Sequence, residues 1–478
     1  METNTSPITY DRLTIENFPT MKMEKILITN SVNEHAKLQV TGIIEEDGSS
    51  ILTNTMVCSP IKTVYQDNDG EKKTLFAGMI TNVKVYKKES HQIVEIIALG
   101  NTSNLDTKRE SRSCQDINTT YRALMDEVAT VNGACITYGM KEKEYVSPLG
   151  EISIRYKETA WEYLKRLASH KNQGLFGDMT AEKPVFSVSA AGNAFEHLEM
   201  QAYEYHKDIR NYEMDQANYL QDILEEDYLI YQVETYQILN IGTKVNFQGK
   251  TLYIREARYE MKNAAILATY QLRTENGLKQ RRLKNEKLQG LSINGTTEEV
   301  ERDKVKIQLD IDREKNAKYL FPYSTMSASP DGSGWYCMPK KGDLLRVYFP
   351  DDEEANCFAI SSVSSYTPEE GNTTDMMSDP SVRYLRTPDN KEIKLTPDGI
   401  TISADDGQAL IIMDNAGNVT ISGAAGINIT ATNDVNISAS RNVSLYAADT
   451  IRLSGQAGSI EMDSSGNTRI FGQYVMEN

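Results

Sequence analysis

Asp310, Asp312 and Glu314 carry carboxylates at the alternate spacing with which a calcium loop begins. Such a loop needs glycine at its sixth position and a bidentate carboxylate at its twelfth. Here those positions hold Lys315 and Phe321, so the loop fails. Gly249-Lys250-Thr251 has the ending of a phosphate loop, but six residues separate Gly249 from Gly242 where four are needed, and strand-like sequence follows. A hairpin turn is expected there instead. The five histidines, His35, His91, His170, His197 and His206, form no HExxH and no i, i+4 pair, which argues against a zinc hydrolase. No GxSxG elbow occurs. Cys58, Cys114, Cys135, Cys337 and Cys357 lack CxxC spacing and read as buried free thiols, not as a zinc site or disulfide framework. Carboxylates are abundant, yet a glycosidase needs two of them facing each other across a cleft, which spacing alone does not specify. Gly332-Ser333-Gly334-Trp335 reads as a loop feeding a buried tryptophan. No catalytic residue, metal ligand or cofactor is expected.

The strongest pattern is aliphatic. Ile411/Met413, Val419/Ile421, Ile427/Ile429, Val435/Ile437, Val443/Leu445 and Ile451/Leu453 fall in one eight-residue register, with Gly, Asn, Asp, Ser, Thr and Ala between them. Apolar residues at i and i+2 share one face of a strand, so each unit reads as a short strand followed by a turn. Eight residues are too few to wrap a core alone, since single-chain solenoids use roughly 18 or more per coil. The expected solution is three identical chains wound around a shared axis as a triple-stranded β-helix, or β-prism, with these twelve residues as its inner core. A flat meander or a single-chain β-helix cap is the competing arrangement. The register slips by one near Ser459, then Ile460/Met462 and Thr468/Ile470 resume it.

Several other elements precede the repeat. Residues 1 to about 100 alternate apolar and polar, with Leu75 to Ile80, Val83 to Tyr86 and His91 to Leu99 as strands of a small barrel. Helical spacing runs from Asp116, placed to cap, to Val131, and again over Thr159 to His170. Strand patterns return over Tyr228 to Tyr270, giving a second barrel. Val305 to Ile311, Leu344 to Phe349 and Cys357 to Val363 suit a small Greek-key barrel of the oligonucleotide/oligosaccharide-binding (OB) type. Residues 367–380 have linker composition. The fold class expected is therefore mainly β.

Composition narrows the partners. The formal charge of −17, tripled in a trimer, disfavours nucleic acid and anionic lipid headgroups. Lys279, Arg281, Arg282, Lys284 and Lys287 form a local basic cluster, read as a solvated or subunit-contacting linker. No apolar run is long enough to span a bilayer, and Met1 to Tyr10 lacks a basic leader, so synthesis in the cytoplasm without a signal peptide is expected.

Tyr156 to Ala168 (Tyr-Lys-Glu-Thr-Ala-Trp-Glu-Tyr-Leu-Lys-Arg-Leu-Ala) resembles a hub stretch of VgrG-type spike proteins, carried by Trp161, Arg166 and Leu167. Phe76-Ala77-Gly78-Met79-Ile80 resembles the aromatic-x-Gly-x-Ile strand of their first barrel. Gly334-Trp335 to Pro339, then Gly342-Asp343 and Val347 to Pro350, resemble that family's spike base, followed by Leu385-Arg386-Thr387 and the octads. The order covers essentially the whole chain and is shared with hub-plus-spike proteins of contractile phage tails and tailocins. The resemblance implies a tail-hub-like region at 1–285 (two β-barrels flanking a mixed helical segment), an OB-fold-like spike base at 286–366, a linker at 367–385 and a needle at 386–478. Two departures matter: a polar, Tyr-rich insertion around Tyr203 to Tyr228, and no histidine after His206 to form a His-x-His metal tip.

The function implied is a non-enzymatic homotrimeric hub and membrane-piercing spike of a contractile injection machine. It would be assembled into a baseplate or virion-like particle and ejected towards a target cell, whose membrane it meets only mechanically. Tail tube and baseplate proteins would be its partners, with a PAAR-like tip cap or effector cargo at the point and no nucleic acid. The alternatives are an enzymatic, wall-degrading spike and a receptor-binding fibre with a β-prism shaft.

Overall fold

The computed structural model describes residues 7–16, 18, 20–44, 52, 59–190, 195–360 and 377–474. Cys58, most of the 367–380 linker and the end of the Cys357 to Val363 strand lie outside the described residues. The chain is mainly β and divides into two compact units, residues 1–365 and 366–478.

In the first unit, alternating apolar residues build one 12-stranded sheet. Its main path runs Leu13–Ile15, Pro60–Gln66, Lys72–Lys88, His91–Gly100, Lys37–Ile44, Lys22–Ser31, Lys250–Lys262, Ala265–Arg273, Leu229–Thr235 and Ala202–Lys207. The two barrels expected from sequence are thus one continuous sheet, and neither half closes on itself. The reason lies in the strand Lys250–Lys262, which is long enough to serve both halves. Its first residues pair with Lys244–Phe247, and a bulge between Ile254 and Glu256 re-aims the rest onto Leu27 to Ser31. At Gln248 and Gly249, both with positive φ, a two-residue turn joins Phe247 to Lys250, so the false phosphate loop is a hairpin as expected.

Helix α1 (Tyr121–Val131) buries Tyr121, Leu124, Met125 and Val128. Thr120 caps it by accepting from the Ala123 N–H. Asp116, the expected cap, instead folds a turn with Asn118 and pairs with Lys318, and Ile117 stays outside the helix. Helix α2 (Ala160–Ser169) matches the predicted span, with Thr159 and Glu162 closing a reciprocal capping box. A third helix, α3 (Ile209–Asn218), lies in the Tyr-rich insertion and is capped by Asp208.

A five-stranded sheet follows, ordered Leu320–Pro322, Lys304–Leu309, Ser292–Glu301, Leu344–Tyr348, Phe358–Ile360. Its edges approach through an isolated bridge between Tyr323 and Ala359 and not through a full ladder, so this sheet is also open. Its core includes Ile152 and Ile154 from the preceding helical segment, which is why residues 1–365 cohere as one unit.

In the second unit, Arg383–Arg386, Glu392–Thr396, Gly399–Ala404, Ala409–Asp414 and Val419–Gly423 form an antiparallel meander, and Thr450–Ser454, Ser459–Asp463 and Thr468–Phe471 form another. Two turns share one design: the Asp414 carboxylate accepts from the backbone and side chain of Asn418, and Asp463 does the same with Asn467. These hydrogen bonds hold both aspartate pKa values below the usual carboxylate range. Residues 424–449 form no ladder among the described residues, so the expected strands at Ile427/Ile429, Val435/Ile437 and Val443/Leu445 do not pair within the chain. A strand exists by virtue of a neighbour, and this stretch of the chain supplies none for itself.

Gly78 explains its motif: a Cβ there would lie 2.1 Å from the Leu99 carbonyl oxygen on the paired strand. Gly78→Val is expected to lower unfolding stability by on the order of 3 kcal/mol in urea titration; an unchanged midpoint would refute that constraint.

Candidate coupling site and exposed octad face

Arg166 projects from α2 into a space enclosed by the small sheet, and its side chain is 3% exposed. Nε and Nη2 donate to the Glu158 carboxylate at 2.9 and 2.8 Å, Nη1 to Glu354 at 3.0 Å, and Nη2 also to the Ile154 carbonyl at 2.9 Å. Glu354 accepts from the Ile154 N–H on its other oxygen. One guanidinium thus ties a hub helix to the five-stranded region, 188 residues further along the chain. Burial lifts the Glu354 pKa above the usual carboxylate value, against the pull of Arg166. Burial also works against the Arg166 charge, but Glu354 and Glu158 together outweigh it and raise its pKa. Two carboxylates facing one cation leave a surplus negative charge, and the deeply buried Glu354 is where it is felt.

A second tie lies nearby. Asp312 accepts from the Ser113 N–H at 2.6 Å and from the Ser113 hydroxyl at 2.5 Å, while Asn316 donates to the Ser113 carbonyl at 2.7 Å. Gln115 donates to the Ile307 carbonyl at 3.0 Å. The carboxylate that resembled part of a calcium loop therefore fastens the small sheet to the hub. An adjoining groove of about 680 Å³ has its charges matched locally, as in the Arg112–Glu127 and Lys318–Asp116 pairs. Among the described residues no group of three or more His, Cys, Asp or Glu is arranged to hold a metal ion.

The basic cluster is tied within the chain. Arg281 pairs with Asp215, Arg282 with Glu151 and Glu353, and Lys284 with Asp352 and Glu353, while Lys279 donates to the Asp222 carbonyl and Lys287 to the Lys157 carbonyl. These contacts strap the segment to its own unit, while its side chains stay partly solvated.

The sequence-derived motif residues separate into two groups. Trp161, Arg166 and Leu167 lie together on α2 and are buried; the Trp161 indole N–H donates to the Asn33 carbonyl at 3.0 Å, and its ring packs on His35 and Phe186. Gly334, Trp335, Pro339, Gly342 and Asp343 occupy the long loop between Leu320–Pro322 and Leu344–Tyr348. Gly334 is required there, since its φ is 131° and a Cβ would meet the Ser327 carbonyl at 2.3 Å. Trp335 is 53% exposed, not buried as expected: its loop is held by the Trp335 N–H donating to the Ser327 carbonyl and the Thr325 hydroxyl donating to the Trp335 carbonyl, not by a core around the indole. Gly342 and Asp343 anchor the loop's end to Thr297. Cys135 and Cys337 are likewise exposed thiols, against the buried reading; Cys357 is buried, and burial pushes its thiol up to about 12. Glu354 was not singled out from sequence, Glu158 appeared there only within the Tyr156 to Ala168 stretch, and Asp312 only as part of the failed calcium loop.

In the second unit, cross-strand register sorts the aliphatics onto one face. Leu385, Ile393, Ile402, Ile411 and Ile421 stand opposite one another in one row, and Leu395, Ile400, Met413 and Val419 in a second. Ile451 opposes Met462, and Leu453, Ile460 and Ile470 align beside them. Of the twelve expected core residues all but Ile451 are exposed in the single chain, from about a third at Ile411 and Met413 upward; Ile427, Ile429, Val435, Ile437, Val443 and Leu445 are exposed without a ladder.

This combination, a 12-stranded sheet, a small five-stranded sheet tied to it and a repeat of short strands, resembles in fold proteins of the type VI secretion system and phage tails. Among solved structures, the E. coli c3393 protein, a component of the type VI secretion system with structural similarity to T4 bacteriophage tail proteins gp27 and gp5, matches with a TM-score of 0.53 at 11% identity, over 73% of this chain and 99% of that one. The lidless PdpA-VgrG complex contains a chain matching at 0.55 and 10% identity, over 86% of this chain and 98% of that one. The half-lidded Francisella PdpA-VgrG complex matches at 0.54 and 10%, over 86% and 87%. No protein-family model and no curated protein sequence matches the chain. At such identities the likeness is one of fold.

Arg166→Met should leave two carboxylates buried without their cation and cost about 3 to 5 kcal/mol in urea unfolding at pH 7. The deficit should shrink towards pH 5, where a carboxyl whose native pKa is raised takes up a proton; a deficit independent of pH would sink the assignment. His170, against Tyr121 and near Arg166, Arg282 and Lys171, is pushed down to about 3 by burial and by those cations. A base depressed on folding contributes stability that is complete above its unfolded value of 6.5 and is lost as pH falls towards 3. His170→Gln should therefore spare roughly 1.5 kcal/mol of the loss between pH 6.5 and 5, measured by unfolding at both pH values.

Proposed function

We propose that the chain is the non-enzymatic homotrimeric hub and membrane-piercing spike of a contractile injection machine. The observation that carries this reading is the exposed octad face: aliphatic side chains in a fixed register, aligned across strands, with no cover from their own chain. An isolated soluble chain rarely exposes so continuous an apolar row, and three copies wound about one axis would bury it in every layer. The unladdered stretch 424–449 would find its strand partners in the other two copies. The fold likeness to c3393 and to the VgrG-containing complexes supports the same reading.

In this proposal residues 1–285 form the hub facing the tail tube and baseplate, 286–366 the base of the spike, 367–385 a linker, and 386–478 a triple-stranded β-helix that concentrates thrust on a narrow point. Val419, Ile421, Val435 and Ile437 are among the residues that form its core. A PAAR-like cap or an effector would sit at the tip, and the particle would be assembled inside the producing cell before ejection. The Arg166–Glu354 and Ser113–Asp312 ties would carry the axial load from spike base to hub.

Native mass measurement of the purified full chain should give three times the mass of 53.7 kDa. Val435→Asp should place three carboxylates in one apolar layer, each costing several kcal/mol to bury unpaired, and so lower the melting temperature and the trimer fraction. A well-behaved monomer in dilute buffer, or a trimer of Val435→Asp with unchanged heat resistance, would overturn the reading.

A further inference from the structure

Arg273 ends a central hub strand at a cavity of about 290 Å³, closed on one side by α3 and on another by the basic strap. The residue is 5% exposed, and its Nε has no hydrogen-bond partner among the described residues. Its guanidinium lies over the Tyr228 ring at 5.7 Å. Burial first, and the neighbouring Arg255 charge second, push its pKa down to about 10. Arg255 is half-buried on the same wall and, like Arg273, has no carboxylate partner among the described residues.

The cavity's own carboxylates are committed elsewhere. Asp208 caps α3, accepting from the Asn211 N–H at 3.3 Å and the Asn211 side-chain amide at 2.7 Å. Asp215 accepts from the Tyr228 hydroxyl at 2.5 Å and pairs with Arg281. Lys279 spends a proton on the Asp222 carbonyl. The opposite wall is fixed by Asn33 donating to Gln280 at 2.9 Å and Asn172 donating to the Gln280 carbonyl at 3.0 Å. Asp208 and Asp215 act on Arg273 through space, yet neither makes an ion pair or hydrogen bond with Arg255 or Arg273 among the described residues, so two like charges face one preformed cavity without a direct carboxylate contact. Leaving a guanidinium buried and unpaired is costly, and an anion between the two would turn their repulsion into paired, charge-assisted hydrogen bonds.

We propose that this cavity is a binding site for a small oxyanion, a carboxylate or phosphate group, held by the guanidinium groups of Arg255 and Arg273. Guanidinium suits both chemistries because its planar donors match two oxygens at once. The site joins two strands to the basic strap and to the Tyr-rich insertion, in which the sequence departs from the VgrG pattern. It is independent of the octad face, so it stands or falls apart from the trimer.

The test is calorimetric titration of the full chain with inorganic phosphate and, separately, with acetate, in chloride buffer of fixed ionic strength. One site per chain is expected, with affinity reduced about tenfold or more in Arg255→Gln. Binding of phosphate alone or acetate alone supports the site and identifies which group it takes. Arg273→Met provides a second readout: in anion-free buffer its melting temperature should equal or exceed that of the natural chain, and the anion should then raise it no further. Absence of binding by either anion up to about 50 mM, or equal binding by Arg255→Gln, would overturn the proposal, as would an unreduced anion-induced shift in Arg273→Met.

Discussion

The buried guanidinium of Arg166 is the joint on which the first unit depends. It satisfies Glu158 on its own side and Glu354 on the other, and takes the Ile154 carbonyl as well, so the hub helix, the strand beside it and the small sheet share one polar centre. A cation in that position is tolerated because every donor it offers towards these partners is used; the same charge without them would be expelled. Around it, apolar continuity does the rest, with Ile152 and Ile154 reaching into the core of the five-stranded sheet. Such charge-assisted bonds are directional where apolar packing slides, which would suit the load-bearing role proposed for the joint.

The second unit obeys a different constraint. Strands of four to six residues, joined by Asx-type turns, give good local hydrogen bonding and almost no interior. Most of the apolar residues lie on one face, Leu410 and Ile412 being on the other, and they stay largely exposed among the described residues. In the proposed trimer the hydrophobic term and the missing ladder bonds would both come from the neighbouring copies, and that coupling of stability to association would give the proposed needle its stiffness.

Charge is distributed with the same economy. The chain is strongly acidic, yet its one dense basic segment is neutralised by hub and small-sheet carboxylates, which removes it as a surface for polyanions. By contrast, Arg255 and Arg273 face one cavity of about 290 Å³ without a direct carboxylate contact among the described residues.

The period of the octads, the span of α2 and the hairpin at Gly249 were legible from the sequence because each depends on residues within one turn or one strand of each other. The barrels, the cap of α1, the burial of Trp335 and the role of the basic strap were not. Each of those turns on which distant segment arrives alongside: Ser31 beside Glu256, Lys318 beside Asp116, Glu353 beside Lys284. The sequence by itself thus determined a β-rich chain ending in an aliphatic repeat that needs partners, since periodicity is a local property of the backbone. Only the tertiary structure decided that Glu354 answers Arg166 and that Arg273 goes unanswered, because a charge's partner is set by packing between segments far apart in the chain.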